Sequence, residues 1–165
     1  MHKGQRGFTL IELMIAIAIA ALITAGIAAA TMQVLAINTR ASNHMIAVRQ
    51  VQQAGKEVSK DALQSQANAI NASPSGGEFL ILGWTNWEGL ENVVVYNITQ
   101  AGELKRSHSI NGTPESTARF VVAEYIDSAH TSCNWTGTVL IFTVTATVGT
   151  ESETRIYEID PRVDS

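Results

Sequence analysis

The sequence predicts an α+β fold in which a long N-terminal helix packs on a C-terminal antiparallel β-sheet. Residues 8–37 contain no Lys, Arg or Asp, and residues 41–62 repeat small and apolar side chains at spacings of three and four. That spacing is the period of a helix. After residues 76–77, both Gly, the period changes to two and β-branched residues become frequent, as strands require. Strands that follow a single helix, with no alternation of the two, indicate an antiparallel layer.

The apolar segment, residues 8–37, is long enough to cross a bilayer, because about 20 apolar residues span the hydrocarbon core as a helix. Lys3 and Arg6 precede this segment, whereas Arg40 and Arg49 follow it at some distance. Basic residues favour the cytoplasmic side. We therefore expect a single-pass cytoplasmic membrane protein with its N-terminus in the cytoplasm and its C-terminal domain extracytoplasmic.

The helical pattern continues beyond the apolar segment to about Ile70, before a Ser-, Pro- and Gly-rich break at residues 73–77. Positions three and four apart share one face of a helix, so we expect that face to be buried against the sheet. Its predicted members are Ala41, Met45, Val48, Val51, Gly55, Val58 and Ala62. The predicted order is a short basic segment (1–7), a transmembrane helix (8–37), a distal helix (38–72) and a β-rich domain (73–165).

Six strands are predicted after the break, with turns at Asn86–Gly89, at Asn111-Gly112 and at Gly149. The predicted strands are Glu78–Trp84, Glu91–Ile98, Glu103–His108, Phe120–Ile126, Thr138–Val148 and Thr154–Ile159. The fifth strand alternates most regularly, which is typical of a strand with one buried side. Its apolar face is Leu140, Phe142, Val144, Ala146 and Val148, and its polar face is Thr143, Thr145 and Thr147.

Few residues offer catalytic or metal chemistry. His130 and Cys133 could supply two metal ligands, but a tetrahedral zinc site needs two more. Asp127, His130 and Ser132 lack the Gly-flanked Ser motif of a hydrolase. We therefore expect no enzymatic activity, no cofactor, no metal and no small-molecule substrate. The formal charge of −4 gives no basic face for nucleic acid, which is not expected as a direct partner.

The single Cys, the three Trp residues and the C-terminal acidic residues are expected to serve the structure and not to form a binding site. Cys133 is the single Cys and cannot form an internal disulfide, so we expect a buried, unreactive thiol. Trp84, Trp87 and Trp135 are expected in the core or at its rim, because Trp is heavily buried on average. The C-terminal acidic residues lack the spacing of a calcium loop and are expected to be solvated. These are Glu151, Glu153, Glu158, Asp160 and Asp164.

Three interpretations compete for the first thirty residues. An ordinary secretory signal could be cut near Ala28–Ala30, although its apolar core would be unusually long and would begin with Glu12. An uncut anchor is also possible, but it does not explain a carboxylate at the fifth position of the apolar run. A charge within a membrane segment is costly and indicates a function.

The third interpretation comes from a resemblance. The sequence Gly7-Phe8-Thr9-Leu10-Ile11-Glu12-Leu13 resembles the processing and assembly motif of type IV pilins and type II secretion pseudopilins. The resemblance implies that residues 1–7 are a prepilin leader, that a prepilin peptidase cuts after Gly7, and that Phe8 becomes N-methylated. The order of elements after the helix is similar to minor pilins and to J-type minor pseudopilins.

Cleavage would create a positive amine at Phe8, and Glu12 is the negative group that could pair with it. The resemblance implies that this amine belongs to a neighbouring subunit, so that Glu12 sets the stagger of subunits in a filament. An intrachain pair of the amine and Glu12, one helical turn apart, is the rival, in which Glu12 is satisfied within its own helix. It would then matter for insertion and little for assembly.

The sequence therefore predicts a structural subunit of a type IV pilus or type II secretion pseudopilus. Its expected partners are other pilin or pseudopilin subunits, a prepilin peptidase, an inner-membrane assembly platform and membrane lipid. The alternative is a membrane-anchored or secreted extracytoplasmic ligand-binding module, with the loop 127–137 as its binding surface. Secretion, DNA uptake, adhesion and motility all remain open.

Overall fold

The computed structural model describes residues 9–72, 78–115 and 120–161, and over these ranges it confirms the α+β class. Helix α1 covers Leu10–Gln64, and a short 3-10 turn follows at Ala67–Ala69. The strands in these ranges are β1 Ile70–Asn71, β2 Leu80–Thr85, β3 Glu91–Ile98, β4 Leu104–Ile110, β5 Thr113–Pro114, β6 Phe120–Ala123, β7 Ser132–Trp135, β8 Leu140–Val148 and β9 Glu151–Ile159. The chain divides into two compact units, residues 1–41 and 42–165.

In the first unit, the described residues form one helix that starts at Leu10. Every residue from 9 to 41 is exposed, and the large apolar side chains point in all directions around the helix axis. A helix that is apolar all round needs an apolar surrounding, either a large protein core or a membrane. This helix is long and apolar enough to cross a membrane.

The second unit holds two antiparallel sheets where a single sheet was predicted. The first sheet has the order β1-β2-β3-β4-β5, with β6 paired to β4 beside a bulge, and the second has the order β7-β8-β9. The chain turns from one sheet to the other at Tyr125, which has a positive φ of 60°. The predicted strand Phe120–Ile126 therefore ends at Ala123, because a left-handed residue interrupts an extended strand.

All six predicted strands overlap an observed strand, and β1, β5 and β7 were missed. Strands β1 and β5 have two residues each, too few to give a periodic pattern. Strand β7 has two exposed polar residues, Ser132 and Asn134, alternating with half-buried Cys133 and Trp135. This polar composition made it look like a loop.

The core lies between the helix from Ala47 onward and the inner faces of both sheets, which confirms the prediction for the distal helix and for β8. The buried helix residues are Ala47, Val51, Ala54, Gly55, Val58, Asp61 and Ala62. The predicted face was wrong at its start, because Ala41 and Met45 are exposed. Tyr157 of β9 packs directly over Gly55, and this contact fixes which face of the helix turns inward.

The turn between β4 and β5 has the backbone conformation that its Asn-Gly sequence predicts. Asn111 and Gly112 both have positive φ, 48° and 74°, as the type I′ turn between β4 and β5 requires.

The helix ends at Gln64, before the predicted end near Ile70. The reason is that the N–H of Gln66 donates to the Gly83 carbonyl at 2.9 Å, so the chain has already joined β2.

Candidate processing and assembly site

Thr9 and Glu12 form a reciprocal cap at the start of α1. The Thr9 N–H and hydroxyl both donate to Glu12 Oε2, at 2.9 and 2.8 Å, and the Glu12 N–H donates to Thr9 Oγ1 at 3.4 Å. This is the capping box, in which a Thr before the helix and a Glu three residues later satisfy each other's N–H groups. The sequence signal, Thr-x-x-Glu before an apolar run, was present but was not interpreted as a cap.

The cap has two consequences for Glu12. It fixes the carboxylate at the helix N-terminus, where the helix dipole favours a negative charge. It also holds the side chain on the side of Thr9, the second residue after the predicted cleavage point. The structure thus shows a local partner for Glu12, but that partner is the Thr9 hydroxyl and amide and not the amine of either alternative. Gly7 and Phe8, the predicted processing residues, lie outside the described residues.

The hydroxyls of the apolar helix are satisfied internally. The Thr24, Thr31 and Thr39 hydroxyls donate to the carbonyls four residues earlier, at 2.8, 2.9 and 3.0 Å. In hydrocarbon, polar groups have no water to bond with and must find partners within the protein. These three threonines therefore add little polarity to the surface of the helix.

A buried polar cluster joins the helix to the first sheet in the second unit, and sequence reasoning missed it. The Asp61 side chain accepts from Arg106 Nε at 2.7 Å, from Arg106 Nη2 at 3.1 Å and from the Tyr96 hydroxyl at 2.6 Å. Asp61 is 1% exposed. Burial, reinforced by the Asp61 carboxylate, raises the pKa of the Tyr96 hydroxyl, which stays protonated and donates. The available signal was a carboxylate three residues after Val58 on the apolar face.

The predicted candidates for metal or nucleophilic chemistry do not converge on one site. His130 Nδ1 lies 2.8 Å from Asp127 Oδ2, and the Ala129 N–H donates to Asp127 Oδ1 at 2.9 Å, so this carboxylate closes a turn. Cys133 packs against the core, and burial raises the pKa of its thiol to about 12. Within the described residues, no three His, Cys, Asp or Glu side chains are grouped as metal ligands.

The three tryptophans differ. Trp84 stacks on His108 with ring centroids 5.8 Å apart, and both Trp84 and Trp135 pack against the core. The prediction was wrong for Trp87, which is 92% exposed in the turn between β2 and β3. The Asn86 side chain organises this turn by accepting from the N–H groups of Glu88 and Leu90.

A groove of about 560 Å³ lies beside the buried cluster, with Lys105, Arg106 and Phe120 among its lining residues. Both cations on its wall are already paired, Arg106 with Asp61 and Lys105 with Glu103 at 2.8 Å. The groove is also distinct from the predicted binding loop at residues 127–137. The paired charges give no specific basis for recognising an anionic ligand.

The family model for the prokaryotic N-terminal methylation motif matches residues 2–28, which include Gly7, Phe8 and Glu12. Searches of the curated proteins and of the solved structures return no match. The matched range also contains the Thr9–Glu12 cap and the first part of the apolar helix. The chain therefore carries a prepilin-type N-terminal signal, the methylation motif of type IV pilins and type II secretion pseudopilins.

Proposed function

We propose that the protein is a minor structural subunit of a type IV pilus or a type II secretion pseudopilus. A prepilin peptidase cuts it after Gly7, Phe8 is N-methylated, and the apolar helix carries the subunit from the cytoplasmic membrane into the filament. The observation that carries the proposal is the methylation motif at residues 2–28, within which a helix suited to a membrane begins at Leu10.

The geometry at Glu12 supports a role in assembly that uses the cap. After cleavage the new amine is at Phe8, one residue before Thr9 and four before Glu12. The cap orients the carboxylate toward the helix N-terminus, which is the end that a neighbouring amine would approach. In this proposal Thr9 positions Glu12, and the charge of Glu12 binds the amine of the adjoining subunit.

Processing is tested by mass spectrometry of the protein isolated from its native membrane. We expect a chain that lacks residues 1–7 and begins with N-methylphenylalanine at position 8. A bulky Gly7→Leu variant should retain the leader, whereas Ala18→Leu, within the helix, should be processed normally. A mature chain that begins near Thr31, or one that keeps Met1, would refute the proposal and favour the binding-module alternative.

Assembly is tested by comparing Glu12→Gln, Glu12→Ala and Thr9→Val in purified filaments. The Gln side chain can still accept from Thr9 but has no charge, so Glu12→Gln separates the cap from the ion pair. We expect Glu12→Gln and Glu12→Ala to be lost from filaments, with Thr9→Val reduced less. Normal incorporation of Glu12→Gln would show that Glu12 acts only as a cap in its own helix.

A further inference from the structure

Strand β9 is an open edge of the second sheet. Among the described residues it pairs with β8 alone, over nine consecutive residue pairs from Val148 and Glu151 to Leu140 and Ile159. It contains no Pro, and its pairing shows no register shift. A long and regular edge strand presents a row of unpaired backbone groups to a further strand.

The hydrogen-bond pattern of β8 shows which residues of β9 present these groups. The N–H of Thr147 donates to the Tyr125 carbonyl at 2.8 Å, and the Thr145 carbonyl accepts from the Asp127 N–H at 2.9 Å. Both threonines thus direct their backbone groups away from β9. In an antiparallel pair, two residues directly opposite each other either both bond to each other or both point their N–H and C=O groups outward. Ser152 and Thr154, which lie opposite Thr147 and Thr145, therefore direct their N–H and C=O groups away from β8. Ile156 and Glu158 follow by alternation, and all four side chains are exposed.

The charges along β9 indicate what could pair with it. Glu153 and Arg155 lie on the same face, with Arg155 Nε 3.3 Å from Glu153 Oε1, and their side chains are 25% and 40% exposed. If two β9 strands pair antiparallel with Thr154 opposite Thr154, each Glu153 faces an Arg155 of the other strand. Opposite charges across a strand pair are stabilising and like charges are destabilising. Moving the centre to Glu153 or to Arg155 would instead put like charges opposite each other.

We propose that β9 pairs edge to edge with β9 of a second copy of this chain, antiparallel and centred on Thr154. Ser152, Thr154 and Ile156 of each copy supply the backbone hydrogen bonds, and two Glu153–Arg155 pairs flank the centre. This pairing does not depend on the processing or filament role proposed above. It is a homotypic contact of the second unit.

Disulfide trapping tests the register in membranes that contain the full chain. In a Cys133→Ala background, Thr154→Cys places two thiols in a hydrogen-bonded pair with Cα atoms about 5.5 Å apart, within the range that a disulfide spans. We expect mild oxidation to give a covalent dimer. The matched control is Glu158→Cys on the same open edge, where the two thiols would be offset by about 27 Å at about 3.4 Å per residue and should not link.

Two further substitutions in the Thr154→Cys chain test the contacts. Arg155→Glu places like charges opposite each other at two sites and should lower dimer formation about 5- to 30-fold, whereas Glu153→Arg with Arg155→Glu should restore it. Ile156→Pro removes an outward N–H without touching the bonds to β8, so it should reduce trapping while the circular dichroism spectrum stays unchanged.

Several results would overturn the proposal. These are no covalent dimer at Thr154→Cys, equal trapping at Glu158→Cys, or dimers that form equally with Arg155→Glu and with Ile156→Pro. A disulfide adduct with a different protein would show that a heterologous strand occupies this edge.

Discussion

Asp61 places a carboxylate in the core, where Arg106 of β4 neutralises it and Tyr96 of β3 donates a hydrogen bond to it. Arg106 binds both carboxylate oxygens, and its guanidinium carbon lies 5.7 Å from the centroid of the Phe120 ring. A buried ion pair contributes little when compared with apolar residues of the same shape, but removing one partner leaves an uncompensated charge. The cluster therefore fixes how the helix meets the first sheet more than it adds to stability.

Asp61→Ala should lower the free energy of unfolding by about 3–5 kcal/mol, because it leaves the Arg106 guanidinium without its partner in a nearly dry site. Tyr96→Phe removes one hydrogen bond to a charged group and should cost less, about 1.5–3 kcal/mol. Urea unfolding of the full chain in nonionic detergent, followed by Trp fluorescence, measures both.

The matched control is Asp61→Leu combined with Arg106→Met, which replaces the pair by apolar side chains. It should recover most of the loss. Equal destabilisation by the single and the double variants would contradict this account.

Asp127 gives the loop after β6 a dependence on pH. The hydrogen bond from His130, followed by that from the Ala129 N–H, lowers the pKa of the Asp127 carboxyl. A group whose pKa is lowered by folding stabilises the folded state above its unfolded pKa and loses that contribution as the pH falls through the folded value. The ordered loop should thus persist at neutral pH and loosen in acid, below about pH 3.9.

Carbon-13 NMR of the Asp127 carboxyl should give a titration midpoint below its ordinary value. His130→Ala should move that midpoint upward, because it removes the largest cause of the shift. Thr136→Ala, in the turn between β7 and β8, should leave it unchanged. If the midpoint does not respond to His130→Ala, the side-chain hydrogen bond is not the cause.

Gly55 shows that a glycine in a helix can serve packing and not flexibility. A Cβ atom at this position would meet the Tyr157 ring of β9, and the Tyr157 hydroxyl donates to the Val51 carbonyl at 3.2 Å. Although Ala is favoured over Gly in a helix by about 1 kcal/mol, overpacking typically costs about 1–3 kcal/mol. The steric term is the larger one here, because the ring is held by a hydrogen bond and by stacking on Phe142.

Gly55→Ala should therefore lower the midpoint of urea unfolding. Adding Tyr157→Leu should make the Ala substitution less harmful than it is beside Tyr157, and a double-mutant cycle measures this coupling. Gly26→Ala is the control, since nothing lies within 4 Å of a Cβ at that position. Stabilisation by Gly55→Ala alone would show that the ring moves aside freely.

The elements that the sequence predicted correctly have strong periodicity and clear turn residues. Val51, Gly55, Val58 and Ala62 were predicted correctly as four of the seven buried helix residues, and the alternation of β8 identified its buried side. Asp61 broke the apolar pattern and gave no hint of Arg106, because its partner is distant in sequence and the pairing depends on the fold. The exposure of Trp87 was equally unpredictable, since average burial says nothing about a turn held by the Asn86 side chain.

At the N-terminus, too, some features could be predicted from the local sequence and others depend on partners that the sequence does not reveal. Glu12 was singled out because a carboxylate in an apolar run is unusual. The family model for the methylation motif matches the residues around it, and the role of Glu12 itself stays a prediction. Its bond to Thr9 followed from a short local signal that was overlooked. What Glu12 binds in a filament depends on a second subunit, which a single chain does not contain.

The two units of the chain require different surroundings. Residues 10–41 expose apolar side chains on every side, whereas the second unit has its own buried core. The first therefore needs lipid or other apolar helices, and the second can face water. Lys3 and Arg6 ahead of the apolar run favour insertion with the second unit outside the cytoplasm.

Cysteine labelling tests this orientation in the living membrane. Trp87→Cys in a Cys133→Ala background places one thiol at a fully exposed turn of the second unit. We expect a membrane-impermeant maleimide to label it in intact spheroplasts. Val144→Cys, buried within the same unit, should stay unlabelled until the protein is denatured, which controls for unfolding. Lys3→Glu with Arg6→Glu should reduce labelling at position 87, because it removes the charges that hold the N-terminus inside. Labelling of Trp87→Cys only after permeabilisation would reverse the orientation and exclude an extracytoplasmic filament subunit.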